Sequence, residues 1–246
     1  MKWHSFIIII IVILCSDTVY GQKHHRKEYT RRFAIGVKTG ISLTNMRLSS
    51  DYYDIYNSSI RPYGSFGAFF LYKDKSGFAF RPELVLGGRG SSLFCHDVKY
   101  AISSTCLNLR MNLEYHLYIN RTTKSVYFIA APGWNTTLGG WVKYSSEEIE
   151  SLKMNLSRSN MHIHDMNVFV GMGFDMQLLI SRRSFYLAGE VGYNFYLTNS
   201  FTADEQTNNI NILNNLIYSH PNTGRRVFNG IEASLRIGIP FGKTIH

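Results

Sequence analysis

At 246 residues the chain is the size of one all-β domain or barrel, and 16 Tyr, 16 Phe and 3 Trp supply ample apolar surface. The formal net charge is +9, yet only 17% of residues are charged. The one dense basic run, Lys23-His24-His25-Arg26-Lys27 with Arg31-Arg32, lies near the start, and the remaining cations are scattered, which argues against a nucleic-acid partner.

The first residues read as a targeting signal. Lys2 gives a basic start, Phe6 to Leu14 an apolar core, and Val19-Tyr20-Gly21 before Gln22 a small-residue cleavage site. We expect residues 1–21 to be a signal peptide, 22–31 a basic tail, 32–241 one domain and 242–246 a short C-terminal tail. Beyond the leader no apolar run approaches the ~20 residues of a spanning helix. The mature chain is then either soluble outside the cytoplasm or crosses a membrane as a closed barrel.

Period-two alternation recurs along the chain, the signature of strands whose side chains leave opposite faces. The first strand runs from Arg32 to Thr44, with Phe33, Ile35, Val37, Ile41 and Leu43 against Ala34, Gly36, Lys38, Gly40 and Ser42. Residues 45–61 read as a long loop. Tyr63 to Tyr72 is the second strand, followed by the turn Lys73 to Gly77. Phe78 to Gly90 is the third, with Arg81, Glu83 and Arg89 on one face. Residues 91–103 read as a second long loop.

Cys106 to Tyr118 carries the clearest alternation. Leu107, Leu109, Met111, Leu113, Tyr115 and Leu117 oppose Cys106, Asn108, Arg110, Asn112, Glu114 and His116. A strand of about a dozen residues is long enough to cross a bilayer at a tilt, which takes about 9–11. After the turn 120–123, Lys124 to Thr136 is the fifth strand, its facing ambiguous at Ala130-Ala131. Residues 137–165 read as a third long loop, in which Ser145 and Glu148 resemble the capping box of a short helix. Met166 to Ile180 and Phe185 to Thr198 are the sixth and seventh strands, joined by the turn 181–184. Residues 199–226 are a fourth long loop, and Val227 to Phe241 is the last strand.

Connections alternate long and short throughout. Eight antiparallel strands, short turns at one end and four long loops at the other form the plan of an up-and-down transmembrane β-barrel of the bacterial outer membrane. The turns are then periplasmic, and the apolar faces meet outer-membrane lipid. The opposite faces collect Lys38, Arg81, Arg89, Arg110 and Arg236 with Glu83, Glu114, Asp175, Glu190 and Glu232. An eight-stranded barrel is only wide enough to be filled by side chains. Charges there must pair, so this set predicts an ionic lumen network and argues against an open pore. Pro82, Pro132 and Pro240 fit poorly, since each removes a ladder donor.

The chemistry-bearing residues are few. Cys95 and Cys106 flank the second long loop, and either form a disulfide or remain free thiols. His162-Ile163-His164-Asp165 places two histidines on one strand face, read as polar rim with no metal or cofactor expected. No nucleophile-elbow signature is present.

Gly36-Val37-Lys38-Thr39-Gly40, Arg81-Pro82-Glu83-Leu84 leading to Gly87-Gly88-Arg89-Gly90, the Leu107-to-Tyr118 strand and Gly171-Met172-Gly173-Phe174 resemble the PorT-like family of bacterial outer-membrane β-barrel proteins. The resemblance covers roughly residues 32–241 and implies an eight-stranded barrel without an assigned activity. The favoured reading is a structural or binding barrel whose long loops meet protein or ligand partners. Two alternatives stay open. One is a rim-site enzyme acting on lipid or envelope substrates through His116, Glu114 and Ser104. The other is a secreted lipocalin-like barrel binding a small apolar ligand, which requires the apolar faces to point inward.

Overall fold

The computed structural model describes residues 30–47, 57–95, 98–119, 123–146, 152–156, 163–180, 183–198 and 227–245. Ten strands account for nearly all of them: β1 (Thr30–Arg47), β2 (Asn57–Ser59), β3 (Arg61–Lys73), β4 (Phe78–Cys95), β5 (Val98–Tyr118), β6 (Ser125–Ser146), β7 (Leu152–Leu156), β8 (His164–Ile180), β9 (Arg183–Tyr196) and β10 (Val227–Ile245). Eight of these pair in the cyclic order β4-β3-β1-β10-β9-β8-β6-β5, and β5 returns to β4. Every pairing is antiparallel. The sheet closes on itself, so no barrel strand has a free edge. The two short strands lie outside the cycle: β2 pairs with Ser92 to Phe94 of β4, and β7 pairs with Gly140 to Tyr144 of β6.

Both ends of the chain's barrel segment, Thr30 and Ile245, pair with one another at the short-turn end. The β3–β4 turn shows why this end is tight. Gly77 sits at φ +89, a region open to Gly at little cost, and its carbonyl accepts from the His116 amide at 2.8 Å. The Ser76 hydroxyl donates to the Asp74 carboxylate at 2.9 Å. That carboxyl is held below its ordinary range, first by the backbone N–H of Lys75 and then by Ser76.

The long-loop end departs from the sequence reading in several ways, the first being that the expected loop 45–61 carries the end of β1 at Arg47, the short strand β2 and the start of β3 at Arg61. The expected loop 91–103 is instead a continuous hairpin, with β4 and β5 paired from Phe78–Tyr115 to Cys95–Val98. Strand β6 continues into the expected loop 137–165 and is joined there by β7. Ser145 lies within β6 opposite Lys99, so it caps no helix; Glu148 lies outside the described residues. The long connections near 48–56 and 199–226 also lie outside them, as do the leader, the tail residues 22–29 and His162.

The C-terminus differs as well. No tail begins at residue 242, because β10 runs on to Ile245. Gly242, at φ +83, and a register shift between Arg31 and Phe33 form a bulge that lets pairing resume. The three prolines sit where a ladder is already interrupted. The β3–β4 register skips Pro82, the β5–β6 register skips Pro132, and Pro240 lies beyond the last β9–β10 pair, Gly238–Tyr186.

Candidate functional site: a charged lumen inside an apolar belt

Alternation sends each strand's two residue sets to different solvents. The outward set is apolar and exposed along the middle of every barrel strand: Ile35 and Val37 on β1, Phe66 and Phe70 on β3, Leu84 and Leu86 on β4, Leu109 to Leu117 on β5 and Leu235 to Ile239 on β10. Leu113 is 58% exposed and Ile239 62%. An apolar surface of this extent belongs in hydrocarbon, not water. It overturns the lipocalin-like reading, which needs these faces inside. Strand β6, ambiguous in sequence, resolves with Tyr127, Ile129 and Ala131 inward and Phe128 and Trp134 outward.

The inward set is buried and ionic. Arg81 on β4 is the hub: it pairs with Glu83, with Glu114 at 2.6 Å and with Glu190 at 2.9 Å. Lys38 on β1 reaches Glu83 at 3.1 Å, Glu190 at 2.7 Å and Glu232 at 2.9 Å. Arg110 on β5 donates both terminal nitrogens to Glu232, at 3.3 and 2.9 Å. Arg236 lies 3.5 Å from Glu114 and 3.4 Å from Glu190, and bonds the Tyr127 hydroxyl. Three of these contacts join strands four places apart in the eight-strand cycle, Arg81–Glu190 between β4 and β9, and Arg110–Glu232 and Arg236–Glu114 between β5 and β10. They cross the lumen from wall to wall. Phe69, Tyr127, Phe169 and Tyr186 fill the remaining space, with Arg110 4.5 Å from the Phe169 ring centre and Arg236 5.6 Å from that of Phe69.

Asp175 and Arg89 stand apart from this centre, and the structure supplies a partner to each that sequence reading left in a loop or turn. Lys73, read as part of a turn, is the last residue of β3 and pairs with Asp175. Asp165, read as loop, is the second residue of β8 and pairs with Arg89. Arg89 also donates to Ser104 at 3.3 Å and Thr137 at 3.1 Å, and lies over the Phe228 and Tyr196 rings. Among the described residues six cations and six carboxylates are buried in the lumen, so the interior is neutral in charge.

His116 faces the lumen near the short-turn end. Its Nδ1 lies 2.8 Å from Ser125 Oγ and its Nε2 3.0 Å from Glu114. The spacing is that of a Ser-His-carboxylate relay, but all three side chains are buried and the Ser125 hydroxyl donates to Asp175. The expected rim serine, Ser104, is not brought to His116. It lies twelve residues away on the same strand, about 40 Å at 3.3 Å per residue.

Cys106 is a buried free thiol, 3.8 Å from Ser104 and 3.9 Å from Thr137. A Cys95–Cys106 disulfide is ruled out by register: Cys106 pairs with Gly87 and Cys95 with Val98. Eight residues of strand separate the two, far beyond the ~7 Å Cα limit of a disulfide. His164 lies against Trp134 in a tilted pair with ring centres 5.5 Å apart while Asp165 turns inward, and no group of metal-ligating side chains occurs among the described residues.

Residues 20–202 match the family described as outer membrane protein beta-barrel domain. Among curated proteins none matches the chain in sequence. Solved structures with a similar course include Ail, the attachment invasion locus protein of Yersinia pestis, in complex with the heparin analogue sucrose octasulfate (12% identity, 85% of this chain and 99% of that one, TM-score 0.37). Neisserial surface protein A is similar over 84% of this chain and 97% of its own (10% identity, TM-score 0.42). The N-terminal β-barrel domain of Pseudomonas aeruginosa OprF is similar over 83% and 97% (11% identity, TM-score 0.30). The assignment rests on the family match, which spans most of the chain and meets an apolar belt around a closed sheet: the chain belongs to the outer membrane protein beta-barrel domain family and resides in the bacterial outer membrane.

Proposed function

We propose that this protein is a closed, non-catalytic barrel of the PorT-like type that anchors a recognition surface in the outer membrane. The observation that carries the reading is the set of wall-to-wall ion contacts, Arg81–Glu190 and Arg110–Glu232 foremost among them. They occupy the middle of a lumen only wide enough for side chains, leaving no aqueous path for a solute. Three of the motifs that carry the PorT-like resemblance supply parts of this plug: Lys38 within Gly36 to Gly40, Arg81 and Glu83 within Arg81 to Leu84, and Arg110 and Glu114 within the Leu107-to-Tyr118 strand. With the lumen filled and the belt in lipid, the surface left for partners is the long-loop end, where β4 to β7 extend past the belt. Loops held on a rigid scaffold are where recognition is normally placed.

The test is conductance across a planar lipid bilayer with the refolded mature protein. The reading predicts no unitary current steps, and a loop-shortened variant lacking residues 203–222 that still shifts on an unboiled gel. Regular steps in the wild type would make it a pore and sink the reading.

A further inference from the structure

Above the apolar belt the same outward face changes character. On β5 the outward residues run Leu107, Thr105, Ser103, Ala101 and Lys99 without a break in alternation. Lys99 lies eight residues beyond Leu107, roughly 26 Å of strand at 3.3 Å per residue, or about 20 Å along the barrel axis at a tilt near 40°. Register places Lys143 of β6 beside Ala101, and Lys153 of β7 directly opposite Lys143. All three lysines are exposed. Trp141, two residues before Lys143, shares their face; the Lys153 ammonium lies 5.1 Å and the Arg61 guanidinium 5.3 Å from its ring centre. Lys99 lies 5.3 Å from the ring centre of Phe94.

Two features separate this patch from an ordinary solvated face. Lys143 and Lys153 are opposed in register, an arrangement of like charges that destabilises a sheet unless an anion lies between them. Aromatic rings hold three of the four cations in place, which reduces the ordering needed to bind.

We infer that the outward wall of β5, β6 and β7, with Arg61, is a binding site for the phosphate-bearing saccharide of an outer-leaflet glycolipid. The source follows from the direction of the face. It continues the lipid-facing wall upward rather than crowning the barrel, so what meets it sideways is whatever stands on the surrounding leaflet. The phosphate chemistry follows from the opposed ammonium groups, which take an anion as point charges. The inference rests on the proposed closed barrel with its long-loop end outside.

The experiment titrates the full-length mature barrel in detergent with a phosphorylated bacterial glycolipid, the same lipid after phosphatase treatment, and its saccharide freed of acyl chains. Wild type should bind the phosphorylated lipid most tightly, with affinity falling as salt rises. The double variant K143Q/K153Q should bind it about tenfold more weakly, the loss of one to two charge-assisted contacts, and bind the dephosphorylated lipid as wild type does. The change removes a like-charge contact, so the sheet is expected to be at least as stable, and an unchanged boiling-dependent gel shift shows the barrel intact. W141F, which keeps a ring, should retain most of the affinity. Equal binding by variant and wild type, or indifference to phosphatase, overturns the inference. Binding of the free saccharide as tight as that of the intact lipid overturns the lateral source. A silent, folded barrel that ignores the glycolipid would leave the closed-lumen reading standing, whereas unitary conductance would remove that reading instead.

Discussion

The two walls of this barrel are built from the same strands, yet they solve opposite problems. The outer wall meets hydrocarbon, which forms no hydrogen bonds, so its middle is Leu, Ile, Val and Phe, and its cations sit at the rims. The inner wall meets nothing but itself, so it tolerates twelve buried ionised groups only because each has a partner within the lumen. The comparison teaches that polarity in this molecule follows the medium on each side, not the depth of a residue. A Leu at 58% exposure and an Arg at 0% are both in their proper solvent.

The largest effect is expected from breaking the inner wall at its hub. Arg81→Met would take the shared cation from Glu83, Glu114 and Glu190, leaving Lys38 on the first and third and Arg236 on the second and third. Removing one member of a buried ion pair costs about 3–5 kcal/mol, to be read from urea unfolding in lipid vesicles. Slightly less is expected from the outer wall. Leu113→Arg places a charge in the middle of the belt and should cost about 2–4 kcal/mol by the same assay. If Leu113→Arg were neutral while Arg81→Met was costly, the belt would not be in lipid.

A smaller effect sharpens the contrast between the barrel's middle and its long-loop end. Cys106 is expected to be inert to a thiol reagent in the folded barrel and reactive after boiling in denaturant, with gel mobility the same with and without reductant. The smallest effect belongs to the short-turn end. A carboxyl whose folded pKa is depressed contributes stability above its unfolded pKa and loses it as pH falls through the folded value. The Asp74 contacts to Lys75 and Ser76 should therefore persist through mild acid and release below the ordinary carboxylate range, seen as a shift of the Lys75 and Ser76 amide resonances that Asp74→Asn abolishes.

Much of this was legible in the sequence because lipid imposes its pattern. Wherever a strand separates hydrocarbon from lumen, the period of two is strong, and Leu107 to Leu117 shows the facing directly. Beyond the belt both faces meet polar surroundings, so the alternation fades. That is why 91–103 reads as loop although β4 and β5 pair through it to Cys95 and Val98, and why the false disulfide looked reachable. Lys73 and Asp165 were hidden differently. They lie at strand ends next to turn-forming residues, yet each continues an inward series, Phe69-Leu71-Lys73 and Asp165-Asn167-Phe169. Extending the parity two residues would have found both, as would the search for partners to Asp175 and Arg89. The paired lysines Lys143 and Lys153 had no signal at all, since their opposition depends on a register that sequence spacing does not fix.

The central claim is that ion pairs across the lumen tie opposite walls together. A double-mutant cycle on Arg110 and Glu232, with Arg110→Met, Glu232→Gln and the pair, measures it in one assay. The account predicts a favourable coupling of about 1–3 kcal/mol in unfolding free energy, as for residues in one buried network. Additivity within about 0.5 kcal/mol would mean that the two groups do not meet across the lumen, and would contradict it.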